Sequence, residues 1–236
     1  MGIFGGPIVN TTGLILEYDF ANKLSYAGSG NTAINIGGNA AFGTTLVNNP
    51  TFSSTNLGYL TFAQASSQYA IFPHFGTTLS NFTLEAWYYL NTLPLNTTVQ
   101  ALITQQFPGS GKINFSLGFN GTRGAGAYDG KINGGFYDTT WQLTDGFTPV
   151  INTWYQSVVT YDGTTIVQYT NGAQIGSTAP TAPSIGTGTN FNYLMRRWDT
   201  TNFVDGRLAI VRIYNTALNS AQVYENFNAN RTRFGL

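Results

Sequence analysis

The sequence predicts an all-β fold, an antiparallel two-sheet sandwich of the jelly-roll kind with one short C-terminal helix. Residues 154–177 hold three runs rich in Val, Ile, Tyr and Thr, separated by Asp162-Gly163 and Asn171-Gly172. Such dipeptides favour tight two-residue turns between antiparallel strands. Similar short apolar runs recur along the whole chain, as in β sandwiches. A length of 236 residues suits one large β domain.

The meander at 154–177 indicates how the layers are arranged. Alternation places Trp154 and Val158 on one face of its first strand, and Val159 and Tyr161 on the other. The adjacent apolar pair at 166–167 is typical of a sheet covered on both sides. A three-stranded meander cannot bury its apolar face alone, so a second sheet must cover it.

The remaining elements are predicted from the same patterns. A polar segment at 21–58 is too long for a plain loop and is expected to contain short extended pieces. A helix is predicted at 219–229, because Asn219 can cap it, Gln222 can complete a capping box and Leu218 can pack on Val223. Residues 1–13 form an arm, and 14–236 form a single domain. Further strands are predicted at 14–20, 59–62, 69–72, 82–90, 101–105, 113–119, 191–197 and 206–214.

Composition excludes several classes of function. Charged residues make up only 8% of the chain, and ten basic residues balance ten acidic ones. A neutral chain has no field to attract nucleic acid, and no apolar run approaches the ~20 residues of a membrane span. The absence of cysteine excludes disulfides and thiol chemistry. The first residues do not resemble a secretory signal, so no export route is expected.

Four segments of this sequence resemble a known family. They are GLILEYDFANKLSYAGSGNTAINIGGNAAFGTTLVNNPTF near the start (13–52), FTLEAWYYL (82–90), the meander with its Tyr-Asp-Gly and Asn-Gly turns (152–177), and the closing strand, helix and Arg-Phe-Gly tail (205–236). Together they resemble the concanavalin A-like, laminin G-like jelly rolls carried by virion proteins of tailed bacteriophages. The resemblance implies a virion protein assembled in the host cytoplasm.

The acidic residues of the sequence do not form the patterns that metal binding or catalysis requires. Members of that family commonly have an acidic turn where this chain has 63–68, which contains no carboxylate. No cofactor is therefore expected, although a weak calcium site built from backbone carbonyls stays open. Glucanase relatives place three carboxylates on alternate residues of one strand, whereas here Glu17 and Asp19 are followed by Ala21. We interpret Glu17 and Asp19 as a sheet-edge pair facing solvent, and we expect no enzymatic activity.

Two non-enzymatic functions compete. The first is a virion structural protein, a capsid decoration, cement or head-fibre protein or a tail-associated component. It would contact major capsid or tail subunits through the arm at 1–13 and the tail after Asn230, and it could form a homo-oligomer. Both segments are expected to lie outside the sandwich core and to become ordered on contact. The alternative is a carbohydrate-binding module that recognises host-surface glycans, since sugar rings stack on exposed aromatic rings. The candidate glycan-binding residues are Tyr128, Tyr137, Trp141, Arg197, Trp198 and Asp199. A glycanase remnant is a third, weaker class.

Overall fold

The computed structural model describes residues 8–38, 40–93, 99–105, 112–119, 130–180, 185, 190–198 and 202–236. Sixteen strands and one α-helix lie in these ranges. The strands are β1 Leu14–Asp19, β2 Thr32–Ala33, β3 Thr44–Val47, β4 Thr51–Ser53, β5 Tyr59–Phe62, β6 Tyr69–Phe72, β7 Phe82–Leu90, β8 Gln100–Gln105, β9 Ile113–Phe119, β10 Asn133–Tyr137, β11 Trp141–Leu143, β12 Trp154–Tyr161, β13 Ile166–Thr170, β14 Ala173–Thr178, β15 Asn192–Leu194 and β16 Gly206–Tyr214. The helix is α1, Ser220–Asn230.

The strands form two eight-stranded sheets, and every pairing described is antiparallel. The back sheet has the order β14-β13-β12-β7-β16-β5-β4, and β1 also pairs with β16. The front sheet has the order β11-β10-β9-β8-β15-β6-β3-β2. The predicted all-β, two-sheet sandwich with one short C-terminal helix is therefore confirmed.

The main core lies between the two sheets, and alternate residues of strands such as β7 and β9 enter it. In β12, Val159 and Tyr161 join this core, while Trp154 and Val158 belong to smaller clusters on the other face. Helix α1 covers that other face through Val223 and Phe227. The back sheet is thus covered on both sides, as the meander predicted.

The predicted element bounds agree closely where the pattern was strong. Strands β5, β6, β7, β9 and β16 have the predicted limits. The polar segment 21–58 contains the short strands β2, β3 and β4, a 3-10 turn at Ala40–Phe42, and a turn with left-handed backbone angles at Thr55–Leu57. Asn219 and Gln222 form the predicted capping box, and Leu218 packs in one cluster with Val223. The strand predicted at 191–197 is shorter, because the chain leaves β15 at Met195, whose φ is 61°.

Only one of the two predicted hairpin turns is a two-residue turn. Asn171 and Gly172 have φ values of 49° and 77° and join β13 directly to β14. The other connection has four residues, Asp162 to Thr165. There the Asp162 carboxylate accepts hydrogen bonds from the backbone N–H groups of Thr164 (2.8 Å) and Thr165 (2.7 Å). These bonds stabilise a longer turn, so the two-residue prediction was wrong at this position.

A buried charge network fixes α1 on the back sheet. The fully buried Glu85 of β7 accepts hydrogen bonds from Trp87 (3.0 Å), Gln156 (2.9 Å) and Asn226 of the helix (2.8 Å). Arg212 of β16 lies 3.1 Å from the Glu85 carboxylate. Because every oxygen of Glu85 has partners, the charge can stay buried without an unpaired group.

Arg212 links this network to the edge of the sheet. Its Nε donates to Glu17 of β1 at 2.7 Å. Burial acts to lower the pKa of Arg212, but the carboxylates of Glu85 and Glu17 outweigh it and hold that pKa above its usual value. Glu17, Arg212 and Glu85 are neighbours across three adjacent strands, so one row of charges connects β1, β16 and β7.

The C-terminal tail is part of the packed structure. Phe234 stacks on Trp87 with ring centroids 4.6 Å apart, and Arg233 donates to Asp19 at 2.8 Å. The expectation that the tail after Asn230 lies outside the core and is free to dock was wrong, because Phe234 covers the indole of Trp87. The arm begins outside the described residues. Its described part is anchored near α1, where Asn10 N–H donates to Asn226 (2.8 Å).

Replacing Glu85 with Ala should destabilise the fold strongly. Arg212 would keep one carboxylate partner, and Trp87, Gln156 and Asn226 would lose a buried acceptor. Removing one partner of a buried ion pair costs about 3–5 kcal/mol. Urea unfolding followed by circular dichroism measures the change in the free energy of unfolding.

Glu225, which is exposed on α1, is the matched control. Glu225→Ala should change the free energy of unfolding by no more than about 0.5 kcal/mol. Equal losses in the two variants would show that the Glu85 network does not hold the helix.

Candidate glycan-binding surface

Tyr137 and Trp141 lie on the outer face of the front sheet, away from the main core. Phe136 enters the core, so the next residue in β10, Tyr137, points to the opposite face. Tyr137 and Trp141 are direct neighbours in the β10–β11 pairing, and their rings lie 5.4 Å apart in an edge-to-face contact. Both side chains are partly exposed. The register of this hairpin therefore places two aromatic rings side by side on one surface.

Trp198 reaches the same place from a distant part of the chain. After β15, residues 196 and 203 form an antiparallel bridge, and Arg197 N–H donates to the carbonyl of Asn202 (2.7 Å). The segment after β15 brings the centroid of the Trp198 ring to 5.1 Å from that of Trp141, and the two ring planes are inclined by 56°. The Arg197 guanidinium lies over the Trp198 ring at 4.7 Å.

Four of the six predicted site residues therefore come together. Tyr137, Trp141, Arg197 and Trp198 form one continuous partly exposed group, which we call the tryptophan cluster. The other two, Tyr128 and Asp199, lie outside the described residues. Both indoles keep part of their surface open to solvent, and the Arg197 guanidinium beside them carries planar hydrogen-bond donors.

A second stack continues the tryptophan cluster through the neighbouring residue. The Arg196 guanidinium lies 4.3 Å from the ring centre of Tyr193 and 4.5 Å from that of Tyr69. Phe203 is also near it, at 5.9 Å. Burial raises the pKa of the Tyr193 hydroxyl, against the opposing effect of the Arg196 charge. Tyr193 and Arg196 are buried, whereas the members of the tryptophan cluster are partly exposed.

Sequence reasoning missed this stack. In the sequence, Arg196 and Arg197 are only two adjacent basic residues, whereas in the structure both guanidinium groups lie over aromatic rings. Tyr69 was assigned only to a strand. The alternation in β6 and β15 carried a usable signal, since Ala70 and Leu194 enter the core and so turn Tyr69 and Tyr193 outward.

The carboxylates considered for catalysis are paired with arginines. Glu17 contacts Arg212 and Asp19 contacts Arg233, each within 2.8 Å. Their interpretation as a pair facing solvent was wrong, because both are partly buried in these ion pairs. Among the described residues, no group of three or more His, Cys, Asp or Glu could hold a metal ion. The same part of the chain holds no helix long and apolar enough to cross a membrane.

A comparison with protein families gives the family of this chain. Residues 64–224, more than half of the sequence, match the laminin G model described as the concanavalin A-like lectin/glucanases superfamily. The chain belongs to this superfamily. The match confirms the concanavalin A-like, laminin G-like domain inferred from the four segments. A search of curated proteins finds no match.

Solved structures of this concanavalin A-like fold include sugar-related proteins. Domain 4 of AbnA, an extracellular arabinanase from Geobacillus stearothermophilus solved with arabinotriose, is similar with a TM-score of 0.65 and 17% identity. That similarity covers 90% of this chain and 97% of the domain. Trypanosoma rangeli sialidase in complex with sialic acid has a TM-score of 0.68 and 15% identity. The similarity covers 98% of this chain but only 36% of the sialidase.

A third similar structure is the binding domain of Paraclostridial Mosquitocidal Protein 1. Its TM-score is 0.68 and its identity is 14%, over 92% of this chain and 52% of that one. At such low identities these likenesses establish the shared fold alone.

The tryptophan cluster predicts a clear difference between surface and core tryptophans. Trp198→Ala removes the ring contacts of Trp141 and Arg197, and one aromatic pair contributes about 0.5–1.5 kcal/mol. We expect a loss near that size and a changed near-ultraviolet circular dichroism spectrum. Trp87→Ala, at a fully buried ring, should lose about 3–5 kcal/mol. Chemical unfolding measures both; similar losses would show that Trp198 belongs to the core.

Proposed function

We propose that this chain is a non-catalytic carbohydrate-binding domain that takes glycans on the outer face of its front sheet. The observation that carries the proposal is the contact between Trp141 and Trp198, 57 positions apart in sequence, whose rings meet at 5.1 Å while staying partly exposed. A pair of tryptophans used only for folding would gain more from full burial, as Trp87 does. Tyr137 and Arg197 extend the surface on either side.

The chemistry of the tryptophan cluster suits a sugar. The apolar C–H face of a sugar ring can lie on an indole, while its hydroxyl groups reach polar groups at the margin. Arg197 supplies donors in a fixed plane above Trp198. Ligand sites of this kind combine aromatic walls with a few well-placed polar groups. The similar arabinanase domain, solved with arabinotriose, supports the same class of ligand.

The non-catalytic part of the proposal rests on the acidic residues. Glu17, Asp19 and Glu85 are each held by an arginine and lie on the back sheet or at its edge, away from the tryptophan cluster. A glycosidase needs two carboxylates that flank one bond of the sugar. These three carboxylates serve the folded structure instead, which also disfavours a glycanase remnant.

A role on a phage particle is a further proposal, supported by the resemblance of four sequence segments and by the low charge. The comparisons favour glycan binding over a purely structural role, so we place adhesion first. In a virion the domain would present the tryptophan cluster to host-surface glycans and contact capsid or tail subunits through other surfaces. Imaging of intact particles, with this fold fitted to the density, tests that location.

Glycan binding is tested by a glycan array probed with the purified chain, followed by calorimetry on the strongest ligand. Trp141→Ala and Trp198→Ala should each weaken binding by roughly tenfold or more, about 1.4 kcal/mol. Tyr224→Ala is the control, since this ring is exposed on α1 behind the back sheet and should leave affinity unchanged.

Two results would contradict the proposal. Binding that survives in both tryptophan variants, or no glycan bound at all, would exclude the tryptophan cluster as the site. Release of reducing sugar from the bound polysaccharide would contradict the non-catalytic part alone.

A further inference from the structure

A second candidate site lies on the back-sheet side, where the C-terminal tail crosses the end of β1. It is an open cleft with a volume of about 710 Å³. We call it the tail cleft; its polar and apolar walls are formed by Asp19, Asn56, Leu57, Asn230, Thr232 and Arg233. None of these residues belongs to the front sheet or to the tryptophan cluster. The volume falls within the range of about 300–1,000 Å³ typical of small-molecule sites.

One wall of the tail cleft is strained. Asn56 and Leu57 have consecutive positive φ values of 49° and 64°. Asparagine tolerates this left-handed conformation, but for leucine it costs roughly 1–2 kcal/mol. Leu57 is also 72% exposed, so burial does not offset that cost. Residues 55–58 form the turn between β4 and β5, closed by the Gly58 N–H on the Thr55 carbonyl (3.1 Å). That turn needs positive φ values but not an exposed leucine side chain, and strained residues concentrate at functional sites.

The strained turn is held rigidly by the tail. Arg233 Nε donates to the Asn56 carbonyl (2.7 Å), and Asn56 Nδ2 donates to the Arg233 carbonyl (3.0 Å). Gly58 follows with φ of 146°, and a Cβ there would lie 2.7 Å from the carbonyl oxygen of Phe20. Leu57 is therefore presented in one fixed position, which lowers the ordering cost of binding.

The polar atoms of the tail cleft indicate the class of ligand. Asp19 accepts bonds through Oδ1, and its Oδ2 has no hydrogen-bond partner among the described residues. The same is true of the side-chain oxygens of Asn56, Asn230 and Thr232, so several acceptors are available for a ligand that carries hydroxyl donors.

The charged residues that line the tail cleft indicate that its ligand is neutral. Asp19 and Arg233 are the charged residues of the lining, and they neutralise each other at 2.8 Å. A bare cation would meet the guanidinium, and an anion would meet the carboxylate. Calcium would also need six to eight oxygen ligands around one point. A neutral, hydroxyl-rich molecule with an apolar side for Leu57 satisfies all of these groups.

We propose that the tail cleft binds a single neutral sugar residue, with its hydroxyls on Asp19, Asn56 and Asn230 and its C–H face on Leu57. The domain would then hold two glycan sites, one on each sheet. The proposal stands apart from the tryptophan cluster, because the two sites share no residue.

The test is an NMR titration of the isotope-labelled chain with D-glucose, D-galactose, D-mannose and L-arabinose, each up to well above 1 mM. We expect at least one sugar to shift the side-chain amide signals of Asn56 and Asn230. The shifts should persist in Trp141→Ala, so that failure of one site is separable from failure of the other. No shift with any of the four sugars would overturn the proposal.

Leu57→Asn gives the sharpest variant. Asparagine relieves the left-handed strain, so the melting temperature should rise by about 2–4 °C, while sugar affinity should fall about tenfold. Leu24→Asn is the matched control, because Leu24 is 75% exposed, has no positive φ and does not line the tail cleft. Leu24→Asn should neither raise the melting temperature nor lower the sugar affinity. A Leu57→Asn protein that binds as tightly as wild type would overturn the proposal.

Discussion

The structure depends on covering the outer face of the back sheet while a full negative charge lies buried beneath the cover. Glu85 has no solvent contact, so each of its acceptor positions must be filled by the protein. Arg212, Trp87, Gln156 and Asn226 fill them. A helix with an apolar residue in place of Asn226 would bury the same area but leave one carboxylate oxygen unsatisfied. The network therefore specifies how α1 is placed, beyond the hydrophobic contacts that hold it.

The position of α1 on the back sheet decides which surfaces are available for binding. The back sheet is covered by α1 and the C-terminal tail, so its tryptophans, Trp87 and Trp154, are buried under Phe234. The front sheet has no such helix among the described residues, and its outer face carries Trp141 and Trp198. The same residue type thus packs on one sheet and forms a partly open surface on the other. The tail that closes the back sheet also creates a cleft along its own edge.

Much of this fold could be predicted from local signals. Strong alternation fixed the limits of β7, β9 and β16, and the capping box of α1 was evident from Asn219 and Gln222. The four-residue turn after β12 was not predictable from its Asp-Gly dipeptide, because the carboxylate of Asp162 holds a turn that the dipeptide alone does not define. Nor was the docked tail, since Arg233 and Phe234 find partners more than a hundred residues away.

The candidate sites were also predictable only in part. Exposed aromatics in glycine-rich loops pointed to the tryptophan cluster, and four of its predicted members do meet. Alternation could have placed Tyr193 on the outer face, but not Arg196 over its ring, because Arg196 follows Met195, whose φ of 61° has no sequence signature. The strain at Leu57 was equally hidden, since a leucine after Asn-rich sequence carries no mark of its backbone angle.

The pairing of β1 with β16 has a consequence for how the molecule is made. Asp19 and Arg233 bond across 214 positions, and the strand with which β1 pairs among the described residues is β16. During synthesis β1 must wait, with this edge unpaired, until β16 has left the ribosome. Loops of that size close slowly and late. The back sheet is thus completed when β16 pairs with β1 and β7. A chain interrupted before β16 would present an open edge to its neighbours.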